Sequence, residues 1–569
     1  MKRILTLLLC CLTVLGVAAD NRSASEMQDL AAQKLASLST SAVKTRSVNI
    51  ERVINQPNLS VYTDGQHFAI ISGDDRFPAV LAYGTGEFKV DELNSSVKWW
   101  LEATERGLAE AKRTARSFQR TATYQPVAEI LTTKWNQSSP YNNYAPSLKL
   151  YDGKKAPAGC VAIAMAQVMN HYQYPASAQF EGYYYQEGVS DEAYQGNVNS
   201  TYSWPYLDYY NYYYPEGSNQ YVKVSTTPRQ GNLVATLCRD CAYAVDMTYT
   251  HDGSGAQTYY LPQRFIDYFG YSEVGSHYYQ RDFYTSEEWH TLVYDEIMRG
   301  NPLIYAGYDP RGGGHAFVAD GIDAEGLVHI NWGWAGSDNG YFDMDMMKIS
   351  DNEEYSVEQD FTVIRPEALE GEAFGSVIGT YGPFTMAFDK KTKELSFSWS
   401  AFYNYSGKNI EGEVGFMFEH LTQPENSDIW AWISADAEDE QERILRAGYG
   451  FGAGSYSFEV EDGDLAPGDY HVYIASKDKH ETEYQKARLL GGGFYYVKIT
   501  VDENGDITVD GGSGNADGDA NGDGEINVAD VDFVIESIGE DVETHKSADV
   551  NGDGEINVAD VDYIIERIM

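Results

Sequence analysis

Positive charge is scarce in this chain. Its 569 residues carry 41 Lys and Arg against 86 Asp and Glu, a net charge of −45. That argues against nucleic acid or an anionic membrane as a partner held by the bulk field. Cysteine is scarce as well: five residues are too few for a disulfide-stapled scaffold. Long apolar runs are missing after the first twenty residues, so no later segment should span a bilayer. Apolar residues still make up 43%, ordinary for a globular protein and too many for a disordered one. The length allows about three to five folded units, and one core is excluded.

The one long apolar run comes first. Met1-Lys2-Arg3 is basic, Ile4 to Val17 is apolar, and Val17-Ala18-Ala19 offers small residues before Asp20. That order predicts a secretory signal peptide over 1–19, and a product that is secreted or attached to the cell surface.

Four further units are expected. In 20–121, Met27, Ala31, Leu35 and Leu38 predict an amphipathic helix, short strands follow at 59–61 and 67–71, and Val97 to Arg120 predicts a second helix. Residues 122–365 mix helix and strand signals and hold a Tyr-rich insert at about 183–214. Residues 366–510 alternate as strands do: Leu395, Phe397, Trp399; Val414, Phe416, Phe418; Tyr470, Val472, Ile474; Val497, Ile499, Val501. This predicts an all-β sandwich. Trp399, Trp430 and Trp432 are expected in its core rather than as a ligand platform. Gly511 to Gly514 reads as a flexible linker.

The tail, 515–569, is an internal repeat with 16 acidic and 2 basic residues. Asp519, Asn521, Asp523, Glu525, Asn527 and Asp530 stand at positions 1, 3, 5, 7, 9 and 12 of a loop; Asp549, Asn551, Asp553, Glu555, Asn557 and Asp560 repeat them. Oxygen ligands at every second residue suit calcium, Glu525 and Glu555 acting through their backbone carbonyls, and Gly524 and Gly554 supply the sharp turn. Each loop has one following helix and none before it, and Asp replaces the usual Glu at position 12. This one-sided duplicate resembles a dockerin. The resemblance implies a small α-helical domain with two structural calcium ions and a cohesin domain as partner. Without the cations the tail should repel itself.

Once the signal peptide is removed three cysteines remain, an odd number that flags a free thiol. Cys160 follows Pro157-Ala158-Gly159 and opens an Ala-rich apolar helix. Unpaired N–H groups at a helix start favour thiolate; a small buried core Cys is the competing reading. A thiolate needs a base and an orienter. His315 follows three glycines and opens an apolar strand, and Asn331 ends the next strand, in Asn331-Trp332-Gly333-Trp334. A turn at 324–326 would bring the two together, with Asn331 holding the imidazole tautomer and Trp332 shielding that bond. His171 lies eleven positions along the Cys160 helix, about 16 Å away, so it is not the base. His329 shares a strand face with Asn331 and stays open as a structural histidine or a base. Cys238 and Cys241 are expected to be structural, because a single pair is weak evidence for zinc.

Trp135-Asn136-Gln137, Gly159-Cys160-Val161-Ala162, Val245-Asp246-Met247-Thr248-Tyr249, Gly314-His315-Ala316-Phe317 and Asn331-Trp332-Gly333-Trp334 together resemble the streptopain family of papain-like cysteine peptidases. Ile71-Ser72-Gly73-Asp74-Asp75-Arg76-Phe77-Pro78 resembles that family's propeptide. The resemblance covers roughly 125–350. It implies an α+β papain-like peptidase domain behind an α+β inhibitory propeptide cut within a few residues of 121. By resemblance, Cys160 is the nucleophile, His315 the acid/base, Gln137 an oxyanion donor, Asn331 the orienter and Trp332 its cover. It further implies protein or peptide substrates, no catalytic cofactor, a need for reducing conditions, and an apolar preference at the second residue on the acyl side of the cut. The competing reading is a non-catalytic secreted binding or scaffold protein on a peptidase-like fold.

Overall fold

The computed structural model describes residues 21–38, 49–113, 124–189, 192–207, 212–213, 222–223, 227–348, 356–434, 437, 443–461, 463–515, 520, 528–538, 548, 550, 556 and 558–568. The expected signal peptide and the expected cut lie outside them. So do the calcium-loop positions Asp519, Asn521, Asp523, Glu525, Asn527, Asp549, Asn551, Asp553, Glu555 and Asn557.

One ten-stranded antiparallel sheet organises residues 51–363. Its order is Glu51–Asn55, Leu59–Thr63, His67–Ser72, Val80–Thr85, Gly340–Phe342, Val328–Asn331, Gly313–Ile322, Leu303–Asp309, Glu358–Val363 and His277–Gln280. The first four strands belong to the N-terminal region. They join the rest where Tyr83 pairs with Tyr341. The two regions expected as separate units therefore share one sheet.

Alternation along the strands sends side chains to opposite faces. Ile304, Ala306, Ala316 and Val318 pack on one face with helix α3 (Cys160–Tyr172) and α4 (Pro228–Ala244). Leu303, Tyr305, Phe317 and Ala319 pack on the other with α2 (Ser95–Arg113) and α6 (Ser286–Met298). Helix α1 (Ala24–Leu38) buries Ala31 and Leu35, as its spacing predicts, against Tyr62, Ala69 and Ile71. Helix α2 buries Val97, Trp100, Leu101, Thr104, Leu108 and Ala111 at spacings of one to four residues, a broad apolar stripe that needs a facing surface. Cys238 and Cys241 are buried and free in α4, with Cys241 Sγ 3.5 Å from Met169 Sδ. Tyr184 and Tyr194 of the Tyr-rich insert stack across a hairpin, Ser177–Gln186 with Tyr194–Thr201.

The next unit is the expected sandwich. A three-stranded sheet, Phe384–Asp389, Glu394–Trp399 and Gly454–Glu459, covers an eleven-stranded one. Leu395, Phe397, Val414, Phe416, Phe418, Tyr470, Val472 and Ile474 fill the space between them, and the three tryptophans pack against this core. The expected linker at 511–514 is a correction. Ile507–Asn515 is a strand, and Gly512, Ser513 and Gly514 pair with Val497, Tyr496 and Tyr495. The free edge of the Phe494–Val501 strand offers a ladder of hydrogen bonds, which outweighs the flexibility of the glycines. The tail contributes α7 (Val528–Ser537) and α8 (Val558–Ile568), packed through Val534, Val561 and Ile564. No helix among the described residues is long and apolar enough to cross a membrane.

Candidate active site

Helix α3 starts at Cys160 because Gly159 takes φ +97, a conformation that favours glycine. A Cβ at Gly159 would also lie 2.6 Å from the Met247 side chain. The helix is buried from Val161 to Asn170, so its first turn is fixed in place. It packs on the Gly313–Ile322 strand, and the Ala316 N–H is directed at Cys160 Sγ. Gln137 is buried, and its carbonyl accepts from Ala158 N–H at 2.9 Å, two residues before Cys160. Cys160, Gln137 and the His315 strand are thus brought to one place.

The electrostatics differ from the sequence expectation. Burial pushes the Cys160 thiol up, against the pull of N–H groups from Ala316, Val161 and Cys160 itself. His315 is pulled down to about 4 by burial alone. Both groups are neutral at pH 7, and no hydrogen bond joins them. The reason is the N-terminal region. Ser96 Oγ lies 3.5 Å from His315 Nδ1, and the Trp99 ring meets the imidazole edge-on at 5.5 Å between centroids. Trp99 fits because the neighbouring positions are glycines. A Cβ at Gly307 would stand 2.6 Å from its ring, and one at Gly312 3.1 Å. Asn94 donates to Ser337 and Asp338, and Arg106 pairs with Asp309 at the end of the adjoining strand.

Two expected roles are corrected. Asn331 does not hold His315. It pairs with Val318, three residues from His315, or about 10 Å along the strand and on the other face. Its Nδ2 donates to Thr133 O at 2.8 Å and Gln167 Oε1 at 3.2 Å, and its Oδ1 accepts from Gly333 N–H. Gln167 Oε1 also accepts from Thr133 Oγ1 and Trp135 N–H. Asn331 therefore anchors the segment that leads to Gln137. Trp332 covers Phe317, at 4.7 Å between centroids, rather than His315. Trp334 is the indole that reaches the site, donating to Ser96 Oγ at 3.1 Å. The repeated Trp in Asn331-Trp-Gly-Trp334 was the available signal, as was the Trp99-Trp100 doublet in α2. His329 is structural: its Nδ1 meets Asp320 Oδ1 at 2.6 Å, and Asp320 Oδ2 accepts from Leu131 N–H.

With this geometry in place, comparison with known proteins is informative. Residues 135–342 match the profile of the peptidase C10 family. This region belongs to that family. Residues 22–108 match the Spi protease inhibitor profile, and residues 517–569 the dockerin type I domain, a calcium-binding module. The chain is 30% identical over 410 residues to the thiol protease/hemagglutinin PrtT of Porphyromonas gingivalis, covering 66% of this chain and 45% of that one. It therefore spans a little under half of that relative's length. It is 29% identical over 357 residues to streptopain of Streptococcus pyogenes, covering 58% of this chain and 85% of that one. A prointerpain A fragment from Prevotella intermedia is 32% identical, with 56% of this chain and 99% of that one covered and a TM-score of 0.49. An N-terminal inhibitor region, a C10 peptidase domain and a β-rich region with a dockerin thus follow one another along the chain.

Asp530 and Asp560 occupy matching places, each the third residue of its helix, and both are wholly buried. A buried carboxylate at the start of each helix suits a hard cation.

Proposed function

We propose that the chain is a secreted cysteine endopeptidase made as a zymogen, held latent by residues 20–121 and tethered through its dockerin. The observation that carries this reading is the seat of Cys160. It opens a buried helix against the His315 strand, and the inhibitor region's Ser96 and Trp99 lie on the His315 ring.

Once that region leaves, water and substrate reach His315, and the burial that keeps it neutral is relieved. Proton transfer from Cys160 Sγ to His315 then gives the thiolate. The thiolate adds to the peptide carbonyl. The Cys160 N–H and the Gln137 side-chain amide donate to the oxyanion, an interaction stronger in the transition state than in the ground state. His315 returns the proton to the leaving amine, the C–N bond breaks, and water cleaves the thioester with His315 as base. Asn331 positions the Gln137 segment through Gln167. Residues 124–130 already hydrogen-bond to the peptidase strand, Tyr124 N–H to Ala324 O and Val127 N–H to Ile322 O. That supports a cut on their N-terminal side, near 121.

In the dockerin, two calcium ions would be held by the 519–530 and 549–560 loops. A cohesin domain is the proposed partner, and the cell surface or medium the proposed location. Intact mass followed over time on residues 20–569 with thiol reductant tests the main reading. Wild type should shed about a hundred residues and Cys160→Ala should not. Failure of a thiol-directed epoxide to label Cys160 in the processed protein would instead favour a binding protein on a peptidase fold.

A further inference from the structure

Beyond the reaction centre the sheet leads to an exposed aromatic surface. On the His315 strand Gly314 pairs with Tyr308, and Tyr308 pairs with Glu358 of the next strand. Two residues along from Glu358, Asp360 pairs with Gln280 at the edge of the sheet. Three strand spacings separate His315 from this edge, about 14 Å in all. The chain leaves the edge strand towards the His315 end, through Arg281–Phe283. There Phe283 meets the rings of Tyr381 and Tyr405, at 6.1 and 4.6 Å between centroids. Both tyrosines belong to the sandwich.

A loop of the peptidase domain arrives at the same place from the nucleophile. Ser254 Oγ donates to Pro157 O at 2.9 Å, three residues before Cys160, and Thr258 Oγ1 donates to Asp360 Oδ2 at 2.9 Å. Tyr259 and Tyr260 follow, their ring centroids 3.8 Å apart. The sandwich approaches them at Gly448, where a Cβ would lie 2.7 Å from the Tyr259 ring. The next residue, Tyr449, is 61% exposed. Tyr403 pairs with Gly450 and meets the ring of Tyr381, itself 48% exposed. Tyr278 joins the two halves, since it lies within electrostatic reach of both Asp360 and Tyr405. Six tyrosines from two domains thus gather at the seam. Exposed aromatic groups gathered in this way mark interaction sites. Tyr suits one because it offers a ring and a hydroxyl with little side-chain freedom to lose. Some of that freedom is already gone here: Tyr381 Oη and Tyr405 Oη share a hydrogen bond.

We propose that this seam is an exosite, at which the tyrosines of the sandwich and of the 254–260 loop bind an extended stretch of polypeptide substrate remote from the scissile bond. This rests on the peptidase reading above. The occupant follows from continuity with the reaction centre. The loop that carries Tyr259 and Tyr260 is fixed beside Cys160 at Pro157, and Tyr308, 52% exposed, marks the rim between His315 and the patch. A substrate seated on Cys160 reaches the patch once it extends about five residues past the cut, at about 3.4 Å per residue. A shorter peptide does not.

The experiment is hydrolysis by the processed enzyme, sandwich included, of fluorogenic peptides that share a core of about four residues and are lengthened in turn on the acyl and amine sides to about twelve. On one side kcat/KM should rise about tenfold once the extension passes about five residues, mainly through KM. Tyr381→Ser with Tyr449→Ser should remove most of that rise. Should the double variant not fold, Tyr449→Ser alone should lower the rise about threefold or more. No rise on either side, or a rise that these variants keep, would overturn the proposal. So would variants that lose binding to a polysaccharide yet keep the rise, which would make the patch a glycan site. Failure to cleave any peptide, with Cys160 unlabelled by the epoxide, would instead overturn the peptidase reading on which the exosite stands.

Discussion

The C10 domain has two seams with its neighbours, and they are built differently. The inhibitor seam is a continuation of its own sheet. Tyr83 pairs with Tyr341, Tyr83 Oη donates to Asp323 Oδ2 at 2.8 Å, and the apolar stripe of α2 fills the second core. The sandwich seam is a set of separate polar contacts. Lys408 Nζ donates to the carbonyls of Glu273, Ser276 and Phe374, each at 2.7 Å. Gln263 N–H donates to Gly407 O, and Arg488 donates to Phe283 O and pairs with Glu288. Among the described residues, only the first seam touches His315. An inhibitor must cover the reacting groups and still leave, and an apolar stripe with one strand ladder can be shed once the chain is cut. The buried Lys408 ammonium cannot part from the Glu273 and Ser276 carbonyls without stranding polar groups, which suits a permanent join.

The sharpest way to break this contrast is Trp99→Ala. Removing a buried Trp costs about 3–5 kcal/mol, all of it in the precursor. On a Cys160→Ala background, the melting temperature of the precursor should fall by several degrees. On the wild-type background, self-processing should start sooner. A fall in melting temperature with no change in the onset of processing would mean that Trp99 serves the fold of the precursor and not latency.

Lys408→Met is the matching test of the other seam. It leaves three carbonyls without their donor, at roughly 1–3 kcal/mol for each unmet group, partly recovered by water. The sandwich should become susceptible to limited proteolysis at 365–377, while onset of processing stays at the wild-type time. A change in latency would mean that the two seams communicate.

How much of this was legible beforehand depends on whether a signal was local. Cys160 at a helix start, the helix spacing Met27-Ala31-Leu35 and the alternation of Leu395 with Phe397 were all readable, since local periodicity decides them. The shared sheet was not, because pairing of residue 83 with residue 341 leaves no trace in either segment alone. Asn331 misled for a related reason. Its place in the chain relative to His315 was right, but register set it opposite Val318 and one face away.

Asn331→Ala therefore gives a smaller and more specific outcome. It should cost about 2 kcal/mol through unmet groups at Thr133 and Gln167, and lower kcat by displacing Gln137. The rate profile should keep its pH limbs. Movement of the limb belonging to His315 would restore Asn331 as the direct orienter.

The pH response of latency reads the His315 contact itself. In the closed form His315 is depressed to about 4 by burial, against an ordinary 6.5. Above 6.5 both folded and unfolded states hold it neutral, and it contributes nothing. Between 6.5 and about 4 the unfolded chain binds a proton that the folded precursor refuses, so stability is lost as pH falls through that window. The Cys160→Ala precursor should weaken there, and adding His315→Gln should flatten part of the loss. An unchanged slope would place the titration elsewhere, among the carboxylates.

Calcium removal should affect neither seam. Asp530 and Asp560 are buried at the foot of α7 and α8, and among the described residues Val534, Val561 and Ile564 form a small core of their own. Without a cation, the repulsion among 16 acidic residues should unfold 517–569. A chelator should thus abolish the helical signal of the tail and any cohesin binding, yet leave peptide hydrolysis by the processed enzyme within about twofold. Two transitions in a melting scan, of which only one moves with calcium, would fit a tail that folds on its own account. A single transition that shifts as a whole would mean that the tail supports the peptidase, and that the chain has a third seam.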